Sequence, residues 1–103
     1  MEKVKAYDGF VPSSFWGVMV KASIAQLEKL FGVQATYQDD EKSKYELELI
    51  ADEIPFNIYD WKEWWLDENT IVWLHVGTNL KSESKEIAEI LRGYDLNVYE
   101  RGW

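Results

Sequence analysis

The chain has 103 residues and no cysteine, 47% of its residues are hydrophobic, and its formal net charge is −8. These values predict one globular domain spanning residues 1–103, and they exclude a disordered chain, a disulfide framework and a thiolate zinc site. The negative excess lies within residues 34–70, which hold eleven acidic and three basic residues. It disfavours nucleic acid and anionic membranes as partners and favours a basic protein.

The first half of the chain predicts a strand, a short helix and two further strands. Residues 15–22 alternate in the manner of a half-buried strand. Ser23 and Gln26 have capping-box spacing, and Gly32 is placed to end the helix that follows. Residues 34–38 are predicted as a strand. The charged residues 39–42 are predicted as a solvated hairpin tip before an alternating strand at residues 44–51.

The second half begins with a turn at Asp52 and Glu53 and a strand at residues 54–59. Residues 60–69 form a connection that begins with capping-box spacing at residues 60–63, so a single helical turn is possible there. Residues 70–76 are apolar at almost every position, which predicts a central strand covered on both faces, with Trp73 in the core.

A second helix is predicted to begin with Ser82 or Ser84 as its cap and to extend to Arg92, and residues 96–99 are predicted as a final strand. The order β-α-β-β-β-(β)-α-(β) is typical of the α+β class, here an antiparallel meander of four to five strands packed by two helices. The helix residues predicted to face the sheet are Ile24, Leu27, Phe31, Ile87, Ile90 and Leu91.

Three of the six tryptophans lie within five residues in the acidic third of the chain. Because charged residues surround them, they are hard to bury completely, and tryptophan is enriched at binding hot spots. We therefore predict a partner-binding face made of Tyr59, Trp61, Glu63, Trp64, Trp65, Asp67 and Glu68. A lid over the core is the alternative interpretation of the same tryptophans.

Two other segments carry weaker functional signals. The turn formed by Gly77, Thr78 and Asn79, together with Lys81, lies before a helix and could bind a phosphate group through backbone N–H groups. His75 is the only histidine; it could act as a general base, but a hydrogen-bonded structural role is the simpler interpretation. We predict no catalytic residues, no metal site and no cofactor.

Three segments resemble a group of small phage-encoded accessory proteins. They are ASIAQLEKLFG at residues 22–32, IYDWKE at residues 58–63 and WLHVGT at residues 73–78, which together cover less than a quarter of the chain. The resemblance implies an accessory role during infection and supplies no catalytic residues. Trp64 and Trp65 fall outside this pattern, so a function that depends on them would be particular to this protein.

The chain is thus predicted to be a non-enzymatic phage anti-defence protein that inhibits or sequesters a host component through its acidic, Trp-rich face. The expected partner is a host protein with a basic or DNA-binding surface, and a homo-oligomer is possible. The first alternative is a sponge for a small nucleotide immune signal, and the second is a small enzyme using His75. With no signal peptide and no apolar run of about 20 residues, the predicted location is the host cytoplasm.

Overall fold

The computed structural model of the protein describes residues 3–11, 13–37, 43–61 and 66–101. Within these residues the elements are β1 (Lys5–Ala6), β2 (Ser14–Ala22), α1 (Ile24–Phe31), β3 (Thr36–Tyr37), β4 (Tyr45–Ala51), β5 (Ile54–Tyr59), β6 (Val72–Thr78), α2 (Lys81–Arg92) and β7 (Asn97–Glu100). The predicted hairpin tip at residues 39–42 and the second half of the predicted turn at residues 60–63 lie outside the described residues.

All the strands of the described chain join one antiparallel sheet in the order β1-β4-β5-β6-β2-β7, and β3 also pairs with β4. The predicted α+β class is confirmed. The sheet is larger than the predicted four to five strands. The two-residue strands β1 and β3 both pair with the edge of β4 opposite β5, and β1 was not predicted. It is also only partly a meander: β4, β5 and β6 follow one another, whereas β2 inserts between β6 and β7.

The first helix is bounded as its sequence predicts. Ser23 Oγ accepts a hydrogen bond from the Gln26 backbone N–H at 3.0 Å, and Gln26 Oε1 accepts one from the Ser23 N–H at 3.4 Å. These two bonds complete a capping box and satisfy N–H groups that the helix itself leaves unpaired. Gly32 ends the helix in the left-handed conformation, with φ of 65°.

The second helix begins earlier than predicted. Leu80 is its N-cap residue, so the prediction of Ser82 or Ser84 as the cap was wrong. Ser84 instead lies buried on the inner face of α2, where its hydroxyl contacts the Thr78 hydroxyl at 2.6 Å. The Glu83 carboxylate accepts the Leu80 N–H at 3.0 Å and so closes the first turn.

Both helices contribute to a single hydrophobic core on one face of the sheet. Five of the six helix residues predicted to face the sheet are buried, and Ile90 is partly buried against the same core. The sheet residues of this core alternate along their strands, as in Leu47 and Leu49 of β4 or Phe56 and Ile58 of β5. Neither described helix is long and apolar enough to cross a membrane.

The prediction that β6 is covered on both faces was wrong. Its burial alternates: Leu74 and Val76 are fully buried, whereas Trp73 is 38% exposed. Trp73 lies on the opposite face from the core, so its assignment to the core is also corrected. The physical reason is that the two helices of the described chain cover only one face of the sheet. Side chains on the other face, such as Trp73, are therefore partly exposed.

Candidate functional site

The face of the sheet that points away from the helices, called here the open face, carries a continuous row of side chains across five strands. The strand register pairs Glu46 with Tyr59, Tyr59 with His75, His75 with Met19, and Met19 with Tyr99. Directly paired residues lie on the same face with Cβ atoms about 5 Å apart. The row therefore begins at a carboxylate on β4 and continues as rings and a thioether to the edge strand β7.

A β-bulge in β2 adds a further aromatic ring to this row. The pairing of β2 with β6 shifts between Phe15 and Met19, and the bulge contains Gly17 with φ of 93°. Phe15 consequently lies beside the row, and its ring stacks on His75 at a centroid distance of 3.9 Å and an interplanar angle of 11°. Bulges are a recurrent means of re-aiming a side chain near a functional site.

Four side chains line a cleft of about 410 Å³ at this position: Phe15, Tyr59, Trp61 and His75. The Trp61 ring is nearly parallel to His75, at 5.7 Å and 13°, and the Tyr59 ring meets His75 edge-on at 5.5 Å and 70°. This volume is within the range of small-ligand sites. The cleft, called here the aromatic cleft, offers aromatic ring surfaces to a ligand.

Asp60 holds the chain at the point where it leaves β5 and reaches the cleft. Its side chain is fully buried, and its two carboxylate oxygens accept the Lys44 N–H at 2.9 and 3.0 Å and the Tyr45 N–H at 2.8 Å. Asp60 therefore ties the end of β5 to the start of β4. Its neighbours Tyr59 and Trp61 are both cleft residues, so this anchor also positions the cleft.

The adjoining part of the open face is polar and more enclosed. Ser13 Oγ donates to Asn57 Oδ1 at 2.8 Å, and Asn57 Nδ2 donates to Glu46 Oε2 at 3.0 Å. A Cβ atom at Gly77 would collide with both Ser13 and Asn57, so Ser13 covers the face at this point. This hydrogen-bonded chain orients the Glu46 carboxylate beside the aromatic cleft.

Burial and nearby charge alter the titration of the cleft residues. Burial raises the pKa of Tyr59, and the charge of Glu46 raises that pKa further. Burial lowers the pKa of His75. The His75 Nδ1 atom is buried and has no hydrogen-bond partner among the described residues. The described contacts of this histidine are its ring contacts with Phe15, Tyr59 and Trp61.

The histidine gives a pH-dependent prediction. Because the pKa of His75 is lower in the fold than in the unfolded chain, protonation favours unfolding, and stability is lost as pH falls below about 6.5. We expect the free energy of unfolding to fall more between about pH 7.5 and about pH 5.5 in the wild type than in a His75→Phe variant. Urea unfolding at both pH values measures this difference, and NMR titration of the single histidine checks its cause; a pKa at or above 6.5 would contradict it.

The structure brings together only part of the predicted partner-binding face. Tyr59 and Trp61 both line the aromatic cleft. Glu63, Trp64 and Trp65 lie outside the described residues. Asp67 and Glu68 are exposed but belong to a different surface, because the Glu68 carbonyl accepts the Ala25 N–H of α1 at 2.8 Å. Burial raises the pKa of Tyr45, and the charges of Glu68 and Asp67 raise that pKa further.

The four residues predicted for a phosphate group lie where β6 meets α2: Gly77, Thr78, Asn79 and Lys81. Thr78 is fully buried, and its hydroxyl already bonds the Leu80 carbonyl at 2.8 Å and the Ser84 hydroxyl. The Glu83 carboxylate occupies the first turn of α2, where its negative charge would repel an incoming phosphate. These contacts weigh against a phosphate group at this turn. They do not test whether a nucleotide binds elsewhere, so nucleotide binding stays a prediction.

Sequence reasoning missed Phe15 and Glu46 as site residues. Both belong to strands whose alternation was recognised, but alternation identifies a face and does not identify which strands lie next to each other. A second missed group is the exposed pair Trp73 and Tyr99, whose rings meet edge-on at 6.3 Å on the same face. The sequence feature that could have identified this pair is the presence of an aromatic residue at an outward-facing position in each of β6 and β7.

The enzyme hypothesis for His75 gains no support from the site. A general base needs a group that orients it, and the described contacts of His75 are ring contacts with Phe15, Tyr59 and Trp61. Among the described residues no three histidine, aspartate or glutamate side chains are grouped to hold a metal ion.

The comparisons with known proteins add no relatives. No protein-family model matches the sequence, and no significant match was found among curated proteins or among solved structures.

Proposed function

We propose that this protein is a phage accessory protein that binds a basic host protein through the open face of its sheet and thereby inhibits or sequesters it. The observation that carries this proposal is the row of aromatic side chains on that face, which begins at the Glu46 carboxylate. Of the face predicted from the sequence, Tyr59 belongs to this row and Trp61 lines the aromatic cleft beside it, while Trp64 and Trp65 remain a prediction.

The aromatic residues have the exposure and arrangement of binding anchors. Trp61 is 40% exposed, Trp73 is 38% exposed and Tyr99 is 48% exposed, all around the same row. Aromatic residues bury large areas at a small cost in side-chain entropy, which is why a few of them dominate the binding energy of many interfaces. A sheet face built in this way resembles an interface more than a solvated surface.

Charge favours a basic partner. The chain carries a net charge of −8, and Glu46 and Glu48 lie on adjacent open-face positions of β4. Burial raises the pKa of Glu48, and the charges of Glu46 and Asp8 raise that pKa further, as expected where negative charge accumulates. Such a field accelerates encounter with a basic surface and repels nucleic acid. The resemblance to phage-encoded accessory proteins supports a host protein as this partner.

The test compares host proteins captured by the immobilised wild-type chain, by a Trp61→Ala, Trp73→Ala variant and by a Phe10→Ala control. Phe10 is 83% exposed and lies outside the row, so its replacement removes an aromatic side chain without altering the face. A protein captured by the wild type and the control but lost by the variant is then purified. Its affinity is measured at two salt concentrations, and we expect a Kd raised about 100-fold in the variant.

Two results would contradict the proposal. The first is a captured partner that binds the folded variant as tightly as the wild type, because the face would then not carry the affinity. The second is an acidic partner whose affinity does not weaken as salt is added, because charge attraction would then play no part.

A nucleotide sponge is the second candidate, favoured by the nearly parallel rings of the aromatic cleft, which could stack a base. Thermal-shift measurements with cyclic dinucleotides and ADP-ribose-type nucleotides test it. A raised Tm with millimolar nucleotide, abolished in the Trp61→Ala, Trp73→Ala variant, would favour this candidate over a protein partner.

A further inference from the structure

We infer that the aromatic cleft receives one cationic side chain, arginine or lysine, from the basic partner. This inference rests on the proposed function and specifies what the cleft recognises. It combines three observations on the open face: ring faces that line a cleft, a carboxylate held beside it, and a neighbouring cation–ring pair within the chain itself.

The ring faces suit a planar cation. Phe15, Tyr59 and Trp61 lie around His75 in a cleft of about 410 Å³. Aromatic faces carry negative electrostatic potential, so a guanidinium or ammonium group within about 6 Å of a ring centre is attracted. Tryptophan provides the strongest attraction, and arginine can also stack through its planar group.

A carboxylate lies beside these rings. Glu46 is paired in register with Tyr59, and its charge raises the pKa of Tyr59, so its field reaches the cleft. Asn57 donates to Glu46 Oε2 at 3.0 Å and holds the carboxylate in place. A cation that enters the cleft therefore meets ring faces together with a positioned negative charge, whereas a phosphate would meet repulsion from the same group.

The open face already contains one interaction of this kind. Lys21 Nζ lies 6.0 Å from the centre of the Trp73 ring, and these two paired residues lie two positions along their strands from Met19 and His75 of the row. The surface environment of this sheet thus supports cation–ring contact without help from a deep pocket. The aromatic cleft offers a partner the same contact with more rings and with Glu46 nearby.

His75 makes the cleft sensitive to pH. The groups that face His75 are Phe15 and Met19 from β2, Tyr59 from β5, and Trp61. Of these only Tyr59 titrates, at a pKa above its ordinary value, and Glu46 lies beyond it. The histidine is neutral at neutral pH and accommodates a cation, whereas its protonation in acid adds a like charge and weakens binding.

The experiment titrates the protein with N-acetyl-L-arginine amide and follows the indole N–H signals of the tryptophans by NMR. We expect saturable shifts at Trp61 with a Kd in the millimolar range, since a single side chain carries only part of an interface. Trp16 serves as an internal reference, because its indole N–H is bonded to the Thr78 carbonyl at 3.1 Å. N-acetyl-L-citrulline amide is the matched ligand that keeps the shape of arginine and lacks its charge.

Variants separate the contributions to the site. Trp61→Leu is expected to raise the Kd about tenfold and Glu46→Gln about threefold, while Phe10→Leu should leave the Kd unchanged. Binding of the arginine amide should weaken as the pH falls through the pKa of His75, which the NMR titration of that histidine measures in the same wild-type sample. Equal binding of the citrulline amide, tighter binding in acid, or saturation by AMP in place of arginine would overturn the inference.

The outcome is distinguishable from that of the proposed function. If the arginine amide does not bind but a basic host protein still requires Trp61 and Trp73, the proposed function stands and the cationic anchor is wrong. If the arginine amide binds but no host protein requires the open face, the cleft recognises cations and the proposed function fails.

Discussion

Replacing Asp60 with alanine is expected to lower the free energy of unfolding by about 3 kcal/mol. The carboxylate is fully buried and accepts hydrogen bonds from the Lys44 and Tyr45 N–H groups. Alanine leaves these donors without their acceptor and opens space at the end of β5, and an unsatisfied buried polar group costs its full desolvation energy. Urea unfolding followed by circular dichroism measures the loss.

Two asparagine substitutions serve as controls for this prediction. Asp60→Asn retains one acceptor oxygen but places an amide N–H₂ near the same donors. We therefore expect its free energy of unfolding to lie between that of the wild type and that of Asp60→Ala. Asp52→Asn makes the same chemical change at an exposed turn residue with φ of 50°, a conformation that asparagine adopts readily. It should change stability by less than about 0.5 kcal/mol. Equal effects at both positions would show that Asp60 is not the anchor described.

Gly17→Ala is expected to destabilise the protein by about 3 kcal/mol and to disturb the aromatic cleft. Gly17 has φ of 93°, where a side chain is strained, and a Cβ atom there would lie 2.7 Å from Arg101 Cβ. Because the Arg101 N–H also donates to the Gly17 carbonyl at 3.1 Å, the two backbone segments cannot separate without losing that hydrogen bond. The bulge would shift, and Phe15 would lose its stacking on His75.

Gly32→Ala is the matched control, because Gly32 also has positive φ, 65°, but a Cβ atom there would meet nothing within 4 Å. It should cost only about 1 kcal/mol and leave the cleft unchanged. Urea unfolding measures both variants, and the NMR signal of the single histidine reports the loss of the Phe15 ring at 3.9 Å. An unchanged histidine signal in Gly17→Ala would mean that the bulge does not position Phe15.

Local features of the fold were predictable because their causes lie within a few residues of each other. The capping box of α1 depends on Ser23 and Gln26, and its end depends on Gly32, so these were confirmed. The Asp52 and Glu53 turn was predicted for the same reason, and both residues adopt positive φ between β4 and β5. The alternation of β4 also placed Leu47 and Leu49 on the buried face.

Features that depend on which surfaces meet were less predictable. Apolar residues at almost every position of β6 suggested burial on both faces, yet a tryptophan or histidine in a strand can equally face a binding surface. The start of α2 was misplaced because the Ser84 hydroxyl bonds Thr78 across the β6–α2 junction instead of capping the helix. Such tertiary partners override local preference.

The sequence by itself determined the α+β class, most of the elements, the acidic character of the chain and the participation of Tyr59 and Trp61 in a candidate site. Those conclusions follow from periodicity, capping residues and charge, which act over short distances along the chain. Only the tertiary structure decided that β2 lies between β6 and β7, and therefore that Phe15 and Met19 meet His75. Strand order depends on how the two helices cover the whole apolar face of the sheet. The strand pairing that results brings together residues more than fifty positions apart in the sequence.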